Sequence, residues 1–298
     1  MKTSLIVVFS LLVATAPVRA DISAARAAVF AGDPAPALAL ANDGDVAAQE
    51  LLAEAYLTGR GVARDPVVAA AWLRRAGEQG SLSASIMLAQ LYADGTGVGQ
   101  DVAESTRWLE KAATQGDVES QLSLGVRYIE GTGVAADPET GMSWIEKAAR
   151  QGDPVAQTQY GTALANGIAG APQLEEGVSW ITRAAEQGHV DALMTMGKVY
   201  AQGVLGEADI VMAYKWFRLA ANMGEERAMQ ITGAMKQRMM PEQLARAEKM
   251  VREWTLKKSI CRRSPTWWRV PAHSCRSSRN ARRRRRPTGP CCRKLSKT

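Results

Sequence analysis

Apolar side chains recur along most of the chain with the spacing of one helical face. Within residues 82–93, Ala84, Leu88, Leu91 and Tyr92 follow an i, i+4, i+7, i+8 order, which is typical of an amphipathic α-helix. Gly95 follows this segment, and glycine readily adopts the left-handed conformation that ends a helix. The pattern therefore predicts a first helix, called helix A, that packs one face against a neighbour.

A second helix, called helix B, is predicted after a short polar loop. Trp108, Leu109 and Ala112 supply its apolar face, and Gly116 ends it. Asp101 lies at its start, where an aspartate can accept hydrogen bonds from the first free backbone N–H groups. The same reasoning predicts N-caps at Asp65, Asp137 and Asp209 for other B helices, and at Asp45, Ser81, Asp117 and Asp153 for A helices.

This helix pair repeats along the chain with a fixed period. Glycine falls at 44, 80, 116, 152, 188 and 224, and tryptophan at 72, 108, 144, 180 and 216, each 36 residues after the last. A period of this length is the sequence signature of a solenoid. The sequence therefore predicts an all-α fold with five helix pairs in residues 44–224.

Some positions of the repeat are always small, and others are always large. Small residues stand in helix A at Ala53, Ala89, Gly125, Gly161 and Gly197, and at Ala48, Ala84, Ser120, Ala156, Ala192 and Ala228. Small side chains let two helix backbones approach closely, and the tryptophans are expected to fill the wider gaps. Burial of a tryptophan is worth several kcal/mol, so Trp144→Ala is expected to destabilise the array by roughly 3–5 kcal/mol.

The repeated pattern resembles the Sel-1-like repeat, a relative of the tetratricopeptide repeat. The residues that carry the resemblance in the third copy are Leu124, Gly125, Tyr128, Gly131, Gly133, Val134, Asp137, Trp144, Lys147, Ala148, Ala149, Gln151 and Gly152. The resemblance implies a right-handed α/α superhelix of about five 36-residue repeats. The fourth and fifth copies depart from the loop pattern at 167–170 and 203–206, and Leu164 replaces the helix A tyrosine. Their loops are expected to differ in shape while their helices remain.

The resemblance also implies a function and a surface for it. Family members are implicated in envelope assembly, signalling regulation and host interaction, so the expected role is a non-catalytic interaction scaffold or regulatory adaptor, active as a monomer. In tetratricopeptide-like geometry helix A lines the concave face, where a protein or peptide would bind. The variable positions of helix A are then the candidate binding residues: Glu54, Gln90, Asp94, Glu130, Thr162, Asn166, Lys198 and Gln202, with Val126 and Thr58 at equivalent positions. The alternative is that these side chains are simply solvated.

Both ends of the chain depart from the repeat. Residues 1–20 start with Lys2, contain a short apolar stretch and end in Val18-Arg19-Ala20, which is typical of a secretory signal peptide. Export to the periplasm or the medium is therefore expected, with an uncleaved anchor as the alternative. Residues 21–43 and 225–255 read as helical caps, because a solenoid needs atypical end repeats to cover its apolar faces.

The last 43 residues have a different composition from the rest. They contain 15 of the 37 Lys and Arg residues, all four cysteines and none of the 30 Asp and Glu residues. Without these 15 positive charges, the formal charge of +7 for the whole chain becomes −8 for residues 1–255, so the repeat domain is acidic. Three readings of residues 256–298 stay open: a disordered basic tail, an arm that binds polyanions, or sequence translated out of frame.

The residues that could carry catalysis are few. Cysteine is absent from residues 1–260, and the two histidines are His189 and His273. His189 stands where other repeats have a capping residue, so an exposed first-turn position is expected. The GTGVG stretch at 95–99 follows a helix and lacks the Lys-Ser/Thr pair of a phosphate-binding loop.

The carboxylates at the starts of helices have a structural explanation. Glu175-Glu176 and Glu225-Glu226 lie where the helix dipole favours negative charge. We therefore predict neither catalytic residues nor a metal or cofactor. Some family members are cysteine-rich and have been linked to penicillin binding, and this chain lacks that feature. An envelope hydrolase or β-lactam-binding protein is the alternative function, and it would need a nucleophile paired with a base.

Overall fold

The computed structural model describes the backbone of residues 21–263 and the side chains of residues 21–255. The proposed signal peptide, His273 and three of the four cysteines lie outside the described residues, and so does the side chain of Cys261. The chain divides into two compact units after Ala247. Residues 21–247 form the first compact unit, and the second unit contains the described end of the last helix.

Residues 21–263 contain fourteen α-helices. They are α1 (Ile22–Phe30), α2 (Ala35–Asn42), α3 (Val46–Thr58), α4 (Pro66–Glu78), α5 (Leu82–Asp94), α6 (Val102–Thr114), α7 (Val118–Glu130), α8 (Pro138–Arg150), α9 (Pro154–Asn166), α10 (Leu174–Gln187), α11 (Val190–Gln202), α12 (Ile210–Ala221), α13 (Glu226–Arg238) and α14 (Pro241–Arg263). Helices α3, α5, α7, α9 and α11 are the A helices of repeats 1–5, and α4, α6, α8, α10 and α12 are the B helices. Each helix from α1 to α13 packs against its sequence neighbours within that range, so the all-α repeat solenoid is confirmed.

Side chains cap the helices where the sequence predicts. Asp101 Oδ1 accepts a hydrogen bond of 3.0 Å from the Glu104 backbone N–H, and Ser81 Oγ accepts one of 3.0 Å from Ala84. Gly95 ends α5 with φ 71°. Two helices of the repeats lack a side-chain cap, because neither Gln173 at the start of α10 nor His189 at the start of α11 accepts such a hydrogen bond. Both helices form nonetheless, because packing supplies most helix stability in proteins.

In the third repeat and again in the fourth, a pair of glycines brings helix A and helix B close together. A Cβ added at Gly161 of α9 would lie 2.5 Å from the carbonyl oxygen of Gly177 in α10, and one added at Gly177 would lie 2.4 Å from that of Gly161. Gly125 and Gly141 meet in the same reciprocal way, at 2.7 and 2.6 Å. The close approach expected at the small helix A positions is therefore present, and it depends equally on a small residue in helix B.

Buried glutamines join successive repeats. Gln157 is 6% exposed, and its amide donates to the Ala149 carbonyl at 3.2 Å. Gln187, at the end of the same repeat, donates to Gln157 Oε1 at 2.8 Å and to the Gly152 carbonyl at 3.0 Å. Gln121 and Gln151 repeat this arrangement one unit earlier. Buried polar groups that are fully hydrogen-bonded fix one arrangement of their neighbours.

The tryptophans fill the spaces between helices unequally. Trp72, Trp108, Trp180 and Trp216 are each 8% exposed or less, and the Trp180 ring meets Tyr160 edge-on at a centroid distance of 5.4 Å. Trp144 is only partly buried. We therefore expect Trp144→Ala to cost less than the roughly 3–5 kcal/mol predicted from the sequence, because a partly exposed ring loses less burial.

The loops between helix A and helix B fall into two kinds. In the second and third repeats, a glycine of the G-x-G-V pattern lies against the start of the preceding B helix. A Cβ at Gly97 would lie 2.1 Å from the Pro66 carbonyl oxygen, and one at Gly133 would lie 2.5 Å from that of Val102. In the fourth and fifth repeats, Gly170 and Gly206 instead adopt φ 147° and 146°. The expected difference in loop shape is confirmed.

The ends of the array carry atypical helices. Helices α1 and α2 bury Ala25, Val29, Ala37 and Ala41 in the same apolar core as the first repeats. Helix α14 runs to Arg263, beyond the predicted end near Trp254. Within its last part, Lys249 Nζ lies 4.0 Å from Glu253 Oε1.

Candidate interaction surface

All eight candidate binding residues are exposed on the A helices. They are Glu54 on α3, Gln90 and Asp94 on α5, Glu130 on α7, Thr162 and Asn166 on α9, and Lys198 and Gln202 on α11. Adjacent positions of the same helices are buried, as for Ala53 and Ala89. These eight residues, with Thr58, which is also exposed, and the partly buried Val126, are called the helix A surface below.

Several of these side chains interact within their own repeat. Gln90 Nε2 donates to Asp94 Oδ2 at 2.7 Å, and Arg60 Nη1 lies 4.0 Å from Glu54 Oε1. Thr162 Oγ1 donates to the carbonyl of Thr158 in the preceding turn, at 2.8 Å. Exposed pairs of this kind contribute little to stability, so a partner could displace them at low cost.

Two exposed apolar residues extend the helix A surface on α5. Ile86 is 39% exposed and Met87 is 36% exposed. They precede Gln90 by four and three positions, so they neighbour it on the helix. Sequence reasoning missed both residues, because an apolar residue in a helical pattern is ordinarily assigned to the core. The only sign of their exposure in the sequence is that the equivalent positions of the next repeat are Leu122 and the polar Ser123.

The B helices carry a repeating stack of a cation on a tryptophan ring. In the first four repeats the residue three positions after the tryptophan is the cation. The pairs are Arg75 on Trp72 at 4.6 Å, Lys111 on Trp108 at 3.8 Å, Lys147 on Trp144 at 3.5 Å and Arg183 on Trp180 at 4.3 Å, measured to the ring centroid. Each cation covers an aromatic face that would otherwise meet water. This explains the Trp-x-x-Lys/Arg pattern without a ligand.

The fifth repeat replaces this stack with a more buried one. Leu219 takes the usual place of the cation, and Lys215 Nζ lies 4.1 Å from the Trp216 centroid. Burial lowers the pKa of Lys215, and Glu186 partly offsets this by attraction. The cation thus stays on the ring although its position in the sequence has moved.

A partly buried cation joins the second and third repeats. Arg127 Nη1 donates to Thr106 Oγ1 at 2.7 Å and to Ser105 Oγ at 3.1 Å. Burial lowers the pKa of this guanidinium. The equivalent positions are apolar, as at Leu91 and Val199. Arg127 therefore holds the array together through neutral acceptors, as the glutamines do.

His189 differs from its expected environment. The imidazole is only 20% exposed, and its Nδ1 lies 3.1 Å from Thr158 Oγ1 of the preceding repeat. The expectation of an exposed first-turn residue is therefore wrong. The ring is covered because Thr158, where other repeats carry Glu50 or Ile86, offers a hydroxyl at this junction.

The glycine-rich loop and the carboxylate pairs that could suggest phosphate binding or catalysis have structural roles in the described chain. Gly97 of the GTGVG stretch packs against α4. Glu175 and Glu176 lie in the first turn of α10, and Glu225 caps α13. Among the described residues, no group of three or more His, Cys, Asp or Glu side chains is placed to hold a metal ion. Nor does any described helix combine the length and apolar character that a membrane span requires.

The chain is a helical-repeat solenoid, in which caps, glycines and glutamines join paired helices. Solenoids of this kind present extended surfaces to partners. The family model for the Sel1 repeat matches residues 46–81, 82–117, 118–153, 154–189 and 190–225. These matches cover more than half of the chain, so the chain belongs to the Sel1 repeat family. Members are commonly protein–protein interaction scaffolds and are generally non-catalytic. No curated protein matches the chain.

Solved structures show the same fold. The protective antigen c5321 of uropathogenic Escherichia coli, described as displaying an SLR fold, is 29% identical, with a TM-score of 0.63 over 78% of this chain and 52% of its own. The chain thus spans about half the length of that protein. A Sel1 repeat protein from Oxalobacter formigenes is 29% identical, with a TM-score of 0.55 over 70% of this chain and 88% of its own.

Proposed function

We propose that this chain is an exported scaffold of the bacterial envelope that binds a protein or peptide on the helix A surface. The observation that carries the proposal is the exposure of all eight candidate residues on helices whose small core positions, such as Ala53 and Ala89, are buried. The row at Glu54, Gln90, Val126, Thr162 and Lys198 carries a different chemical group in each repeat. A fold needs no such variety, whereas recognition of an extended partner does.

The exposed apolar pair on α5 supports the same surface. Ile86 and Met87 lie one turn before Gln90, which is hydrogen-bonded to Asp94 one turn further on, so two large exposed apolar side chains adjoin polar ones. Exposed apolar residues surrounded by polar groups are typical of protein-binding sites. Export follows from the signal-like residues 1–20, and it would place this surface in the periplasm or outside the cell.

The test is site-specific photocrosslinking in cells that produce the full chain. A photoreactive amino acid replaces Gln90 or Lys198 on the helix A surface, and as a control it replaces Glu110, which is exposed on α6. We expect a discrete protein adduct from the two A positions and none from Glu110. Equal labelling from all three, or no adduct from the A positions, would contradict the proposal.

Location is tested separately by cell fractionation and N-terminal sequencing of the purified protein. We expect the protein in the envelope or the medium, with a mature N-terminus near Asp21. A cytoplasmic protein that retains Met1 would refute export and leave the binding surface to be judged by crosslinking.

A further inference from the structure

The junction between the fourth and fifth repeats is built differently from the two earlier junctions at Gly97 and Gly133. In the second and third repeats, Gly97 and Gly133 pack against the carbonyl oxygens of Pro66 and Val102. In the fifth repeat the position of these glycines is taken by Leu205, and Leu174 stands in place of Pro66 and Val102. A leucine cannot make the glycine's approach, because at both glycines even a Cβ would lie 2.5 Å or less from the carbonyl oxygen.

A shallow, largely open cleft of about 570 Å³ lies at this junction. Its apolar lining comes from Pro172 and Leu174 on one side and from Val204 and Leu205 on the other. These are large exposed side chains: Leu174 is 41% exposed, Val204 37% and Leu205 49%. Neighbouring exposed side chains of this size mark a surface that gains by contact with another molecule.

The charged part of the lining is acidic, and Gln173 is the neutral polar residue of the lining. Glu175 and Glu176 border the cleft, and its lining residues include neither lysine nor arginine. The helix dipole accounts for two carboxylates in the first turn of α10, but it does not account for three exposed apolar side chains beside them. The complementary ligand therefore carries both a large apolar side chain and positive charge.

The geometry points to this cleft as a docking site for a segment of another protein, in which a Leu-, Ile- or Phe-sized side chain is flanked by lysine or arginine. The apolar side chain enters between Leu174 and Leu205, and the cation meets Glu175 and Glu176. The cleft shares no lining residue with the helix A surface, because the loops and the start of α10 form it.

The experiment is a selection of random displayed peptides on the immobilised full chain, followed by fluorescence anisotropy with the enriched peptides. Three variants are compared with the wild-type chain. Leu205→Ser removes the apolar wall, and the double change of Glu175 and Glu176 to Gln removes the charge. Glu139→Gln is the matched control, because it occupies the same first-turn position in α8 as Glu175 does in α10, outside the cleft.

We expect the enriched peptides to combine apolar and basic residues. Leu205→Ser should weaken their binding about tenfold, as loss of one buried apolar contact implies. The double Gln change should weaken it roughly three- to tenfold and reduce its salt dependence, and Glu139→Gln should leave it unchanged. Circular dichroism verifies that each variant is folded.

Enriched peptides without this composition, or binding that neither variant weakens, would overturn the proposal. Sedimentation of the full chain tests a second copy as the occupant. A dimer that Leu205→Ser abolishes would assign the cleft to self-association and overturn the proposal as well. Replacing Gln90 or Lys198 should not alter peptide binding here, so the outcome is independent of the helix A surface.

Discussion

Gly161→Ala is the substitution that probes the closest contact within a repeat. The new methyl group would lie 2.5 Å from the Gly177 carbonyl oxygen and 2.8 Å from Ile181 Cγ1, and it would also lie 3.1 Å from the Ile181 backbone nitrogen. Two of these three atoms belong to the backbone of α10. They cannot rotate away as a side chain can, so α9 and α10 must separate to admit the methyl group.

The magnitude follows from two opposed terms. Forcing extra volume into a packed contact costs about 1–3 kcal/mol, and a rigid backbone obstacle places Gly161→Ala at the upper end, near ~3 kcal/mol. Alanine regains about 1 kcal/mol through its higher helix propensity. The net loss is about 2 kcal/mol, which lowers the melting temperature by roughly 4–8 °C for a chain of this length.

The matched control is Gly233→Ala in α13. No atom outside its own helix lies within 4 Å of a Cβ built at Gly233, so only the propensity gain remains and this variant should be more stable by up to about 1 kcal/mol. Circular dichroism during thermal and urea unfolding measures both variants. If Gly161→Ala melts at or above the wild-type temperature, the argument from close helix approach is wrong.

Three further predictions rest on single contacts. Trp108→Ala should cost about 3–5 kcal/mol and Trp144→Ala clearly less, because Trp108 is 3% exposed whereas Trp144 is partly buried. Urea unfolding measures the loss of stability in both variants, and equal losses would contradict the burial argument. Gln187→Ala should cost about 1–3 kcal/mol by leaving its buried partner amide without a donor; an unchanged urea midpoint would count against it. Hydrogen bonds from the Thr140 hydroxyl and backbone N–H lower the pKa of Asp137. The stability that this carboxylate contributes is therefore full near neutral pH and is lost as the pH falls through the lowered pKa. In an NMR titration of Thr140→Val the pKa of Asp137 should rise toward its ordinary value, and an unchanged titration would refute the assignment.

The sequence predicted the helices and their caps because five copies could be compared within one chain. A residue such as Asp101 caps by contact with its own next turn, so its role follows from local position alone. The same comparison identified Gly161 as small, but it did not identify Gly177 as the residue it meets. That pairing depends on how two helices are set against each other, which periodicity does not specify.

Contacts between repeats were harder to predict than contacts within them. Gln187 meets Gln157 across 30 residues, and the series is interrupted where Ser85 and Leu193 replace the helix A glutamine. His189 was misplaced for the same reason, because its cover comes from Thr158 in the repeat before. The eight candidate residues, which the resemblance to tetratricopeptide geometry suggested, are exposed, and their role in binding stays a prediction. The apolar pattern could not separate the exposed Ile86 and Met87 from core residues.

Some positions of the repeat pack in the core and others stay exposed. We expect partners at the exposed positions of the helix A surface and of the cleft at Leu205. In the first repeats Val62 and Val98 of the G-x-G-V loop pack on the apolar core. The fourth and fifth copies have Gly170 and Gly206 at this position, so they give up that burial. The fifth copy also exposes Val204 and Leu205. Stability within the described chain does not account for losing a partly buried valine and exposing two apolar side chains, because both changes reduce apolar burial. A contact with another protein at this junction would restore that burial, and this is the contact that the peptide selection measures.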